Sequence, residues 1–212
     1  MAYEYVKSRP FTSNNGKYGY ISEDTLDFIV NQKPNVVIVD GTKSYTDGGV
    51  TRFPGAMWGY INLLSKEQTF ITYQGEGISL GEEAEYLKKM LEKIEKKKAI
   101  QLLVFLDDKL IGISGIEMED KTSAHEGVLG ISIAKEYRRQ GIGKKLIKLV
   151  IDEAIKNLPQ LRIITLGVFG NNPLAMGMYK KFGFKEFGKL PEGILYKSQY
   201  VDHIYMYKKV RE

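Results

Sequence analysis

A short apolar strand, a basic glycine turn and an amphipathic helix follow one another between Val128 and Asn157, and no other stretch of the 212 residues restricts the fold as tightly. Val128-Leu129-Gly130-Ile131-Ser132-Ile133 is short, apolar and β-branched, as a buried strand requires. From Ile142 to Asn157, the residues Ile142, Leu146, Leu149, Val150 and Ile155 recur at three- and four-residue steps, with Lys144, Lys145, Lys148 and Asp152 between them. That period predicts a helix with one apolar face. Arg138-Arg139-Gln140-Gly141-Ile142-Gly143-Lys144 therefore lies at a helix N-terminus. There the first N–H groups lack intrahelical partners and the dipole is positive, while glycines let the backbone approach a bulky anion. The turn is predicted to cradle a phosphate or pyrophosphate.

Spacing narrows the guest. A nucleoside-triphosphate loop needs G-x-x-x-x-G-K-[ST], but Gly143-Lys144 is followed by Lys145 and no glycine stands five residues earlier. A dinucleotide fingerprint needs a third glycine or alanine where this chain has Leu146. The pattern present is R-x-x-G-x-G over Arg138 to Gly143, preceded by Leu129-Gly130-Ile131-Ser132-Ile133. It resembles the acyl-coenzyme A binding motif of the GNAT superfamily of N-acetyltransferases. A second block, Asn171-Asn172-Pro173-Leu174-Ala175 followed by Met178-Tyr179-Lys180-Lys181-Phe182-Gly183-Phe184, resembles that superfamily's later segment, N-x-x-A and then L-Y-x-K-x-G-F. Physically, Asn172 suits a helix N-cap, Pro173 the first helical position, and Gly183 a left-handed stop. The tail Tyr200 to Tyr207 is similar to the family's final strand, and the resemblance runs from about Asn35 to Val210.

The resemblance implies an α/β fold with a mixed, mostly antiparallel central sheet, flanking helices and splayed central strands. It implies transfer of an acetyl group from acetyl-CoA to a primary amine by direct attack in a ternary complex. The acceptor classes left open are a small amine, a polyamine, or a protein N-terminus or lysine. The alternative is a coenzyme-binding regulatory or interaction module that transfers nothing. Cofactor contacts are expected from Ile131, Ser132 and Ile133 along the strand, from Arg138, Arg139, Gln140, Gly141, Ile142, Gly143 and Lys144 in the cradle, and from Asn172, which either bonds the coenzyme arm or caps its helix. A main-chain N–H near Ile133 would polarise the thioester carbonyl.

Tyr179 occupies the family's tyrosine position and is expected to face the coenzyme sulfur. With reference values near ~10 for a phenol and ~8.5 for a thiol, full proton transfer to the thiolate is uphill by roughly 2 kcal/mol, so a hydrogen bond matters more than proton delivery. A primary amine with pKa near ~10.4 is mostly protonated at pH 7, and a base or a desolvating site must offset roughly 4 to 5 kcal/mol. Glu126 is the expected base, with His125, Glu117 and Glu119 near the same opening; strand alternation puts His125 and Glu126 on opposite faces. Water-mediated deprotonation is the other reading.

Composition sets the remaining limits. Zero Cys removes disulfides, thiolate metal sites and a cysteine nucleophile, and two His leave no histidine-rich metal site, so no metal is expected. No apolar run approaches a membrane span and Met1 to Pro10 is unlike a signal peptide, which makes a cytoplasmic protein without membrane contact the expectation. The net charge is +5, yet the basic residues are interleaved with acids, as in Glu82 to Lys98 with its Glu85–Lys89 and Glu92–Lys96 pairs, so nucleic acid is not an expected partner.

The chain order predicts a strand at Asn35–Asp40, helices at Gly55–Ser65 and Gly81–Lys98, and a hairpin of Gln101–Leu106 and Lys109–Ile116 turning at Asp107-Asp108. Residues 34 to 212 form the acetyltransferase-like domain and residues 1 to 33 an extension with one helix at Ser22–Asn31. That extension and the Gly41–Pro54 loop are open to use as a lid, a homodimer contact or plain surface packing. The resemblance implies an acceptor pocket built from Gly55–Gly81 and a late loop, Gly188–Ser198, with Tyr60, Tyr73, Tyr196 and Tyr200 lining it and Trp58 in the core. Glu76, Glu82 and Glu83 either draw a cationic acceptor or form the acidic start of a helix.

Overall fold

The computed structural model describes residues 53–106 and 109–212, with side chains from Met57 onward, and the strand backbone of residues 11–12, 18–19 and 36–40. The expected helix at Ser22–Asn31, the Gly41–Pro54 loop apart from its last two residues, and the Asp107-Asp108 turn lie outside the described residues.

Two short strands, β1 (Phe11–Thr12) and β2 (Tyr18–Gly19), pair with each other. The main sheet has seven strands: β3 (Val36–Asp40), β4 (Ala99–Leu106), β5 (Lys109–Met118), β6 (Glu126–Ile133), β7 (Ile163–Phe169), β8 (Lys185–Tyr196) and β9 (Gln199–Lys209), in the order β3-β4-β5-β6-β7-β9-β8. Every pairing is antiparallel except β6 with β7, as a mixed, mostly antiparallel sheet was expected to show. Helices α1 (Phe53–Lys66) and α2 (Leu80–Glu95) cover one face; α3 (Ile142–Asn157) and α4 (Pro173–Lys181) cover the other.

Alternation sorts the side chains between these layers. Ile100, Leu102 and Val104 of β4 enter the larger core with Ile142, Leu146, Leu149 and Val150 of α3, while Leu103 enters a second core with Met57, Tyr60, Leu64 and Leu87. β4 is thus apolar on both faces because both are covered. The α3 boundaries match the sequence period, and burying an aliphatic side chain such as Leu146 contributes about 1.5 to 3 kcal/mol.

Two local expectations change. Gly188–Ser198, expected as a loop, lies mostly within edge strand β8, whose register breaks between Glu186 and Gly188 and again between Leu190 and Ile194. Gly188, Pro191 and Gly193 interrupt the alternation by which a strand is recognised. Trp58, expected in the core, is 40% exposed, its indole N–H donating to the Ile78 carbonyl at 2.8 Å. Trp58 therefore holds the α1–α2 connection with its polar edge while its ring stays on the surface.

Candidate active site

The cradle is built by backbone conformation. Arg139 and Gly141 both take left-handed angles, φ 60° and 83°, and the first helical bond of α3 runs from the Lys145 N–H to the Gly141 carbonyl. The amides of Ile142, Gly143 and Lys144 are consequently the ones that an α-helix leaves without internal acceptors. A left-handed non-glycine residue costs on the order of 1 kcal/mol, so Arg139 is held there by its surroundings. At Gly143 a Cβ would sit 3.7 Å from Ile133 Cγ1, an ordinary contact. Protein packing thus does not demand glycine at a position where alanine would favour the helix. A glycine there lets a bulky anion approach the amide without a side chain in the way.

Arg138 anchors the cradle through two of its guanidinium nitrogens. Its Nε donates to the Ile133 carbonyl at 2.7 Å and its Nη2 to Glu67 Oε2 at 2.7 Å, while Glu67 Oε1 accepts from the Lys135 amide at 3.1 Å. One carboxylate at the end of α1 therefore fixes both ends of the short 3-10 turn, Lys135–Tyr137, that leads into the cradle. The Gln140 side chain donates to the Glu136 carbonyl across the same turn. Arg139 and Lys144 remain exposed at the rim. Glu67 was not singled out in the sequence, because a salt bridge 71 residues long leaves no local pattern.

The central strands splay. β6 and β7 pair in parallel only at Glu126–Ile163, Gly127–Ile164 and Val128–Thr165, and then part. β6 stays bonded to β5 through Ile133, so parity decides which of its amides are left over. The Ala134 amide donates to Ile111 and the Glu126 carbonyl accepts from Glu119, which assigns the even-numbered groups of β6 to β5. The Leu129 amide closes the ladder on Thr165, and beyond it the amides of Ile131 and Ile133 point into the gap. From the other side, the Val210 amide on the Arg162 carbonyl and the Gly170 amide on the Asp202 carbonyl assign the even groups of β7 to β9, so Gly167 and Phe169 face the gap. The cradle closes one end of this wedge and the last ladder pair, Val128–Thr165, the other.

Side chains on the α1–α2 face of the wedge are unusually small. Cross-strand register aligns Gln101 with Gly115 and Gly115 with Gly130; Gly167, in phase with Gly130, is aligned with Tyr205, and Tyr205 with Gly188. A Cβ on Gly130 would meet nothing within 4 Å. A Cβ on Gly167 would lie 2.2 Å from His203 Nε2, so the imidazole rests directly on that glycine. Burial holds the His203 pKa below its usual range, favouring the neutral ring. Ser132 projects to this face, accepting from the Tyr60 hydroxyl at 3.1 Å. Phe70, Phe169 and Tyr196 close one corner with ring centroids 5.0 to 5.5 Å apart. The glycine floor and His203 were not legible as a site in the sequence, because only register brings them together.

The remaining expected residues are distributed as follows. Asn172 caps α4, its Oδ1 accepting from the Ala175 amide at 3.2 Å, with Pro173 next and Gly183 at φ 84° ending the segment. Tyr179 is 8% exposed in the core that Ile131 and Ile133 border, edge-on to Phe184 at 5.9 Å. Burial pushes its phenol up to about 12. Its hydroxyl has no hydrogen-bond partner among the described residues. Glu126 begins β6 at the closed end of the wedge, seven residues before Ile133, on the same face as Ser132. Glu117 pairs with Lys93 of α2. Among the described residues no helix is long and apolar enough to cross a membrane.

A mostly antiparallel sheet with one parallel, splaying pair and an anion cradle at the wedge's end defines a class of fold, and comparison with known proteins agrees. The sequence model of the acetyltransferase (GNAT) family matches residues 64–184, and the chain belongs to that family. It is similar to the L-amino acid N-acetyltransferase AaaT of Escherichia coli (strain K12), 29% identical over 107 residues, covering 50% of this chain and 65% of that protein. It is also similar to a probable spermine N(1)-acetyltransferase of Bacillus subtilis subsp. natto, 38% identical over 58 residues, 27% of this chain and 38% of that one. The chain thus spans less than two thirds of either relative. A crystal structure of a GNAT-family acetyltransferase from Streptococcus pneumoniae superposes with a TM-score of 0.71 at 26% identity, covering 82% of this chain and 99% of that one.

Proposed function

We propose that the chain is an acetyl-CoA-dependent N-acetyltransferase acting on a primary amine. The observation that carries this reading is the wedge: a parallel ladder that stops at Val128–Thr165, leaving the Ile131 and Ile133 amides facing a gap that ends at a helix N-terminal cradle. A pyrophosphate on the amides of Ile142, Gly143 and Lys144, with Arg139 and Lys144 at the rim, directs the pantetheine arm back along β6. The arm passes Ile133 before Ile131, so the Ile131 amide is the deeper donor and the better placed to polarise the thioester carbonyl. Asn172 keeps its Oδ1 on the α4 cap, and its Nδ2 is the atom free for the coenzyme.

The acceptor nitrogen attacks the thioester carbon, the tetrahedral oxyanion collapses, the C–S bond breaks and the acetyl group remains on nitrogen. Tyr179 meets the departing sulfur as a hydrogen-bond donor. With a phenol near 12 and a thiol near ~8.5, complete transfer is uphill by roughly 5 kcal/mol, so the phenol steadies the thiolate and the proton comes later from water. The proton lost by the amine leaves on the α1–α2 face, where His203 at the open part of the wedge and Glu126 at its closed end are the two candidate acceptors. His203 is the nearer to the gap by register, through Phe169.

Thiol release from acetyl-CoA, followed across a panel of monoamines, diamines, amino acids and N-terminal peptides, tests the reading. Amine-dependent release with a matching acetylated product is expected. Coenzyme binding with no release on any acceptor would replace it by a coenzyme-binding regulatory module.

A further inference from the structure

The acids of the α1–α2 face divide cleanly. Glu82 forms a reciprocal capping box with Ser79, Glu76 accepts from the Gln74 amide, and Glu117 pairs with Lys93. Glu83 has none of this. It is 3% exposed, and its Oε1 is sealed with no hydrogen-bond partner. It shares the inward stripe of α2 with Leu87, Met90 and Ile94, so it points at the sheet. Leaving a buried carboxylate unpaired costs more than an ordinary hydrogen bond returns, and native structures rarely do so without a ligand or a function. Position near the helix N-terminus favours negative charge there without supplying a partner.

Tyr86 links Glu83 to the glycine-floored groove. The Tyr86 hydroxyl, one turn further along α2, bonds the Gln101 side chain and lies in the fields of Glu83, Glu117 and Tyr73. Gln101 heads the cross-sheet row that continues through Gly115 and Gly130 to the wedge. Two strand spacings separate Gln101 from β6, roughly 10 Å. Tyr86 is 45% exposed even with its hydroxyl engaged, so an aromatic face borders the groove at this end. Lys93 of the same helix is committed to Glu117.

We propose that this end of the groove is a second cation site, in which Glu83, with the ring of Tyr86, holds the distal ammonium of a diamine or polyamine whose other amino group reacts at the wedge. The inference rests on the acyl-transfer reading and names its acceptor class. One charge–charge contact and one cation–π contact select for a second positive group at a fixed span of roughly 10 Å from the reacting nitrogen. Monoamines fill only half of such a site.

The test compares α,ω-diamines of increasing length with monoamines of equal length, in the full chain and in Glu83→Gln and Glu83→Asp. The best diamine is expected to exceed its matched monoamine at least tenfold in kcat/KM, with an optimum at one length. Glu83→Gln should reduce that ratio to near one while leaving the thermal shift caused by acetyl-CoA unchanged; Glu83→Asp should retain a preference, displaced to a longer diamine. Equal use of mono- and diamines, a preference that survives Glu83→Gln, or acetylation of amino acids or peptides but not diamines would each overturn the site while acetyl transfer itself stands. Absence of transfer to every acceptor, with acetyl-CoA bound, overturns the acyl-transfer reading and this site together.

Discussion

Arg138 Nη2 and Glu67 Oε2 stand 2.7 Å apart across 71 residues, joining the residue that follows α1 to the turn that carries the anion cradle. The pair makes the coenzyme loop dependent on a helix from the acceptor side of the sheet.

Breaking that pair should weaken the cradle more than the fold. Arg138→Ala and Glu67→Gln are each expected to lower acetyl-CoA affinity about tenfold and stability by about 1 to 2 kcal/mol, since hydrogen bonds to charged groups carry more than neutral ones. A double-mutant cycle on coenzyme binding should show the two changes to be strongly non-additive. Additive losses would mean that Arg138 contacts the coenzyme independently of Glu67.

Gly143→Ala should separate stability from binding. The new methyl meets Ile133 at an ordinary distance and the helix gains up to about 1 kcal/mol, so the free protein should melt higher. Acetyl-CoA should bind more weakly because the methyl stands over the cradle. Gly141→Ala has the opposite stability sign: at φ 83° a side chain is strained, costing about 1 kcal/mol or more.

Tyr179 sets an alkaline limit. Its folded pKa, about 12, lies above the unfolded value near ~10, so the folded state holds its proton longer. The sign follows: this contribution is complete below pH ~10 and is lost as pH rises from there through 12, by about 3 kcal/mol. Tyr179→Phe should flatten that part of a stability-versus-pH curve. In catalysis the same variant should lower kcat about ten- to a hundredfold and leave the acetyl-CoA dissociation constant within about twofold, as loss of one transition-state hydrogen bond does.

The groove floor can be filled from below. Gly130→Ala adds a methyl where nothing lies within 4 Å, so melting and acetyl-CoA binding should be unchanged while kcat/KM for the acceptor falls. Gly167→Ala, by contrast, must move the His203 ring, which lies 2.2 Å from the new atom. If His203 takes the amine proton, His203→Gln should remove the acidic limb of the kcat/KM profile, and Glu126→Gln should leave it in place; the reverse would assign the proton to Glu126.

Local chemistry explains what the sequence made legible. The three- and four-residue period of α3, the Asn172-Pro173 start of α4 and the Gly183 stop are written within a few residues of where they act, and they stand where expected. The cradle was visible because two glycines and a helix start are adjacent in the chain. The glycine row, the His203 stacking and the Glu67–Arg138 bridge depend on register between strands or on contact between distant helices, which no window of sequence contains. β8 was missed because its glycines and Pro191 mimic a loop. The acidic cluster before and within α2 became interpretable only when packing gave Glu82 a cap and left Glu83 without a partner.

Residue-resolved amide exchange with and without acetyl-CoA tests the wedge most directly. Binding should slow exchange at Ile131 and Ile133, whose amides face the gap, and at Gly143 and Lys144 in the cradle, with little change at Gly130 and Ser132, whose amides are already committed to β5. Equal protection of odd and even residues along β6, or protection confined to other elements, would contradict the placement of the coenzyme between β6 and β7.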